Sequence, residues 1–302
     1  MTTPAPSSAA AAGAADARIH DIGYRRYEGT RLGRGYARRS LFVHSLRGCY
    51  GIGRSARSKV LPMGLFAVMV LPAFGMVVVL AAAGGDLPVD YREYPLFMQP
   101  VLGLFLALAG PQLVSLDLRY RTTPLYFSRP IERSDYVAAK FAALSTAVFL
   151  FTAIPVTVLY AGGLLTGLSV TEETDDFALG LAVCAVYAVL HAAISLLTAS
   201  LTPRRGFGVG AIIGVLTIPY FAVTALQGVA DVQGSDAVGW LGLFSPGTLT
   251  DGLQSAYLGG VSQFPGQAEV PSAAGPLYVL VIAGITAACY LLLLRRYRRA
   301  GL

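Results

Sequence analysis

Few side chains in this 302-residue sequence could do chemistry, and nearly all of them lie outside its apolar stretches. There are two lysines, Lys59 followed by Val60 and Lys140 followed by Phe141. A phosphate-binding P-loop needs GxxxxGK[ST], in which Ser or Thr follows the lysine to hold magnesium. Neither lysine has that setting, so any nucleotide that drives this protein must be bound by a separate subunit. GxSxG and HExxH are both absent, and no nucleophile-and-base pair can be argued. Cys49, Cys184 and Cys289 are far apart and show no zinc or disulfide spacing, so they read as small core residues and no metal is expected. The acidic run from Glu172 to Asp176 could collect a divalent cation, although a solvated acidic loop is the commoner origin of such a run.

The elements that must position these groups are membrane spans. Hydrophobic residues make up 55% of the chain, charged residues 13%, and mean hydropathy is +0.60. An average soluble domain carries about 25% charged residues. Six apolar runs approach the roughly 20 residues that cross the hydrocarbon: Val60–Ala83, Pro95–Val114, Phe141–Leu165, Phe177–Leu201, Gly206–Val229 and Pro276–Leu294. Backbone groups have no water partners there, so these runs must be helices. The expected fold is all-α, a polytopic protein with six transmembrane helices over residues 60–302.

On these boundaries all 17 carboxylates sit in connections. An ion-coupled carrier usually keeps an intramembrane carboxylate, which argues against secondary transport. His191 is the one ionisable group deep in a span. It reads either as part of a substrate path or as a neutral histidine bonded to a neighbouring helix. Gln112 is open to the same two readings, substrate path or helix packing.

Residues 1–17 are small and weakly polar and read as a disordered tail, since a signal peptide needs a basic and then a strongly apolar region. Residues 18–59 are basic. Phe42, Leu46, Cys49 and Tyr50 fall at helical spacing among arginines, which suggests an amphipathic helix on the headgroups; a solvated basic linker is the other reading. Alternate extramembrane segments hold 22 of the 23 Lys and Arg residues. By the positive-inside rule both termini and the loop between spans two and three are cytoplasmic. The long segment 230–275 faces the other side, and its Ser-Pro start and Gly-Gly stop predict one short helix that lies at the interface or dips into it.

The cytoplasmic loop from Leu118 to Lys140 combines Arg119, Arg121, Arg129 and Arg133 with an apolar patch of Leu125, Tyr126, Phe127 and Ile131. Pro130 suits the first turn of a short helix, and Ser134 or Asp135 can cap the next. Such a helix could fill a partner's groove while its arginines pair with acids on the rim, or it could bind headgroups.

The run Thr123 to Arg133, with Asp135-Tyr136 and Ala139-Lys140 after it, resembles the cytoplasmic loop of ABC-2 type transporter permeases. The segments Gly23–Arg34 and Phe244–Leu249 are similar to the N-terminal and Ser-Pro segments of bacterial members. Pro124 and Asp117-Leu-Arg depart from the usual loop pattern. The resemblance implies a permease subunit of an exporter in a bacterial-type cytoplasmic membrane. Two copies, most simply a homodimer, would form the path. A cytosolic ABC ATPase would dock through a coupling helix that includes Leu125, Tyr126, Phe127, Arg129, Pro130, Ile131 and Arg133. ATP and magnesium would be bound by that partner, with no cofactor in this chain; membrane lipids are the other expected contacts, and nucleic acid is not one. A path without buried charge would suit a lipid or an amphiphile. The alternatives are an ion-coupled secondary transporter and a membrane anchor or assembly protein without transport.

Overall fold

The computed structural model describes residues 23, 28–29, 32–120, 122–128, 131–202 and 204–299. The expected tail at 1–17, and Arg121, Arg129 and Pro130 of the loop, lie outside them. The compact body begins at Gly33. Its helices are α1 (Arg34–Cys49), α2 (Ala56–Ala83), α3 (Tyr94–Phe97), α4 (Gln99–Leu113), α5 (Ser115–Arg119), α6 (Thr123–Phe127), α7 (Arg133–Leu165), α8 (Val170–Leu201), α9 (Arg205–Val232), α10 (Ala237–Leu241), α11 (Pro246–Tyr257) and α12 (Gly275–Arg299). No strand occurs among the described residues. Six helices are long and apolar enough to cross a membrane: α2, α4 with α5, α7, α8, α9 and α12.

These six are not equivalent. In α4, α7 and α8 more than half of the apolar window is buried, whereas in α2, α9 and α12 it is less than a fifth. The first three therefore form the centre, and the other three turn most of their apolar surface outward. At the centre Phe105 of α4 stacks on Phe151 of α7, ring centroids 4.2 Å apart. Tyr50 and Phe66 lean on the same pair.

Several helices extend beyond the apolar runs. α7 begins eight residues before Phe141, so Asp135 and Lys140 belong to its first turns. α8 takes in Glu172 to Asp176, where carboxylates suit the positive end of the helix dipole. The acidic run is therefore helical, not a free loop. Tyr91 donates to Glu173, and Asp176 pairs with Arg92 at 3.2 Å. Arg92 also donates to both carboxylate oxygens of Asp90 and, at 2.6 Å, to the Leu258 carbonyl.

The N-terminal basic segment forms α1, and the side that carries Leu41, Ser45 and Cys49 is buried against the bundle, chiefly α7. After it the chain turns through Gly51 at φ +68°, where a Cβ would stand 2.4 Å from the Ser58 carbonyl oxygen. Only glycine fits that turn.

At the opposite end from α6, α11 forms where the Ser-Pro start predicted it, and it packs against α8, α9 and α12. Tyr278 of α12 is fully buried there and donates to the Gly239 carbonyl at 2.6 Å. A Cβ on Gly252 would lie 2.1 Å from its ring. Gly252→Ala is expected to lower stability by about 1–3 kcal/mol through overpacking. Gly228→Ala in α9, where nothing lies within 4 Å, should be neutral or stabilise by up to about 1 kcal/mol. Thermal unfolding of the two purified variants checks both.

Candidate functional site

The loop between the second and third spans is built differently from its sequence expectation. Its short helix is α6, Thr123–Phe127, upstream of Pro130 instead of starting there. The next helix is capped by Glu132, whose N–H donates to Asp135 Oδ2 at 3.2 Å, and not by Ser134. Of the expected docking residues, Leu125 is 69% exposed and Ile131 only 8%. Tyr126 and Phe127 are half-buried, and both rings lie against Tyr136. Ile131 therefore belongs to the core, and among the described docking residues Leu125 projects as the apolar tip. Tyr120, 65% exposed, was not singled out and stands beside the loop.

The roots of the loop are tied on three sides. Lys140 Nζ lies 3.1 Å from Asp117 Oδ2, and the Tyr136 hydroxyl donates to the same oxygen at 2.5 Å. Lys140 is 4% exposed, and its ammonium also faces the rings of Tyr136 and Tyr126 at 5.3 and 6.0 Å. The Tyr136 ring packs on Tyr297 of α12 at 5.0 Å. From α1, Arg34 reaches both Glu132 and Asp135, and Arg38 lies 4.0 Å from Asp135. Bonding to Asp135 raises the pKa of the Arg34 guanidinium. α6 thus sits on a junction that joins α1, α5, α7 and α12, and a push on it would be felt by all four.

A second feature is a cavity of about 440 Å³ at the α11 end, between α4, α8 and α9. Its walls include Gln99, Tyr187, His191, Tyr220 and Gln263, and among the described residues no Asp, Glu, Lys or Arg lines it. His191 is 2% exposed, stacks on Tyr187 with centroids 3.8 Å apart, and places Nδ1 3.0 Å from the Tyr187 carbonyl. That contact is favourable when Nδ1 carries a proton. The histidine is thus bonded within its own helix, not to a neighbour, while also forming part of a cavity wall. Gln112 is elsewhere: it donates to the Gly48 carbonyl and joins α4 to α1.

Next to this cavity, α11 buries Asp251, which is 4% exposed. The carboxylate accepts from the Gln263 N–H at 3.0 and 3.1 Å and from Gln254 Nε2 at 3.0 Å. Burial outweighs these bonds and raises its pKa from 3.8 to about 6. The folded state then binds the Asp251 proton more tightly than the unfolded chain. The contribution is fully present below about pH 4 and is lost as pH rises to about 6, on the order of 2–3 kcal/mol. Unfolding temperature should fall over that range, and Asp251→Asn should flatten this part of the profile.

A protein-family model described as "ABC-2 family transporter protein" matches residues 6–302. No curated protein matches the chain.

Proposed function

The chain belongs to the ABC-2 transporter family, and from that premise we propose that it is the permease subunit of an ATP-driven exporter, coupled to a separate ATPase through α6. It is a multi-pass membrane protein of a family whose members are membrane subunits, generally without catalysis of their own. The single observation that carries the coupling reading is the construction of the loop: an exposed Leu125 tip on a root that locks α1, α5, α7 and α12 together.

In this reading two copies of the chain enclose the path, and each docks one ATPase. Nucleotide-driven closure of the ATPase pair presses on α6. Asp117 and Lys140 carry the displacement to the second and third spans, and Arg34 carries it to α1. The span ends shift, and access to the path changes sides. The uncharged cavity beside His191 suits an amphiphile with hydrogen-bonding groups and no requirement for a counter-charge. In this reading the α6 end and both chain ends face the cytoplasm, which the arginine distribution supports.

The test is affinity purification of the tagged full chain in mild detergent from its native membrane. Two chains with two copies of an ATP-hydrolysing subunit are expected. A chain recovered intact without any such subunit would overturn the proposal.

A further inference from the structure

Helices α7 and α12 meet along a seam that is hollow on its outward side. Between α7, α8 and α12 runs a groove of about 770 Å³ whose walls include Ala138, Phe141, Val189, Ala287 and Tyr290. Close to the α6 end lies a cup of about 460 Å³, walled by Phe127, Ile131, Glu132, Arg133, Ser134 and Arg298. The two hollows follow one line. Ser134, Ala138 and Phe141 are at i, i+4 and i+7 on α7, and Tyr290 and Arg298 are at i and i+8 on α12, so each set shares a helix face. An apolar trough thus leads into a polar cup.

The cup is cationic on balance. Among the described residues of its wall, Glu132 pairs with Arg34, and the other two charged residues are the arginines Arg133 and Arg298. Arg133 is positioned by the Phe127 ring, 5.8 Å away, and by a bond to the Arg298 carbonyl at 3.1 Å. On α12 the trough runs from Val279 to Tyr290, about 16 Å at 1.5 Å per residue. That length is half of a hydrocarbon core about 30 Å thick, and because the stretch is centred on the Pro276–Leu294 run, an acyl chain entering past Tyr290 occupies its α6-side half.

We propose that the seam binds one anionic phospholipid, with an acyl chain in the trough and the phosphate between Arg133 and Arg298. Lipid tails are as apolar as leucine, so the trough alone selects no lipid. Selection comes from the cup, where arginine binds phosphate through charge-assisted, often paired hydrogen bonds. Phe127 and Ile131 are part of the same wall, so a bound headgroup braces the α6 loop from its α12 side. The site itself depends only on the protein spanning a membrane.

The test is native mass spectrometry of the full chain titrated with phosphatidylglycerol or phosphatidylcholine, with free glycerol 3-phosphate as competitor. One retained phosphatidylglycerol is expected, preferred about tenfold, as one charge-assisted bond would give. Arg298→Gln, at an exposed helix end, should erase the preference without changing the unfolding temperature. Ala287→Phe, which fills the trough, should lower retention of both lipids. Equal retention of the two lipids by wild type, or unchanged retention in Ala287→Phe, would overturn the proposal. So would displacement of the lipid by glycerol 3-phosphate, which would leave a phosphate site only, or a lipid-free dimer, which would give the trough to a second copy.

Discussion

Lys140→Met is expected to be among the most damaging single substitutions in this chain, and Asp117→Asn is expected to rescue it. The lysine is buried, and its ammonium lies 3.1 Å from Asp117 Oδ2. Removing it leaves a carboxylate whose side chain is 16% exposed, with the Tyr136 hydroxyl as its main remaining donor. Breaking a buried pair on one side costs about 3–5 kcal/mol, and the residual exposure of Asp117 favours the lower end. In the double variant the uncompensated charge is gone, the new amide oxygen still accepts from Tyr136, and the methionine side chain fills the lysine's volume. Its stability should come within about 1 kcal/mol of wild type, the behaviour expected of two directly coupled residues. Thermal unfolding of the wild type, both single variants and the double variant measures the coupling. Additive losses would show that Asp117 and Lys140 act independently.

The other large effect is on binding. Leu125→Asp places a charge on a tip that is 69% exposed, so stability should stay within about 0.5 kcal/mol of wild type. If the tip fills a groove on the ATPase, affinity should fall by at least about 2 kcal/mol, roughly 30-fold. Ile131→Asp separates the two roles. Ile131 is buried beneath the loop, so its replacement by a charge should unfold the junction before any question of docking arises. Association measured on size-exclusion-pure protein, beside the unfolding temperature, distinguishes these outcomes.

The difference between Leu125 and Ile131 also marks how far the sequence could be read. Both belong to one apolar patch, and nothing in spacing alone says which residue points inward. α6 formed over Thr123–Phe127 although Pro130 offered a helix start, because Glu132 and Asp135 claim the following residues for the cap of α7. The six spans were legible because crossing hydrocarbon demands a length of apolar chain that no other element matches. Their ends were not, since amphipathic first turns such as Arg133–Lys140 carry charges that hydropathy counts as loop. Asp117 and Lys140 were each visible, one as a departure from the family pattern and one as part of its motif. Their pairing across 23 residues arises from how α5 meets α7, and no local pattern encodes it. His191 was noticed as a lone polar group, whereas its stacking on Tyr187 comes from i, i+4 placement on α8. Asp251 entered the sequence reading only as one of the 17 carboxylates outside the spans, on a helix expected at the interface. Burial of that helix against α8, α9 and α12 reverses the reading.

The most direct test of the central claim is site-specific crosslinking from the tip of α6. Leu125→Cys, carrying a short photoactivatable group, would be compared with Phe244→Cys, an equally exposed position at the other end of the bundle, in native membranes. A covalent adduct with a nucleotide-binding subunit is expected from position 125, changed in yield by ATP, and none from position 244. Labelling of lipid alone from position 125, or equal labelling of an ATPase from both positions, would contradict it.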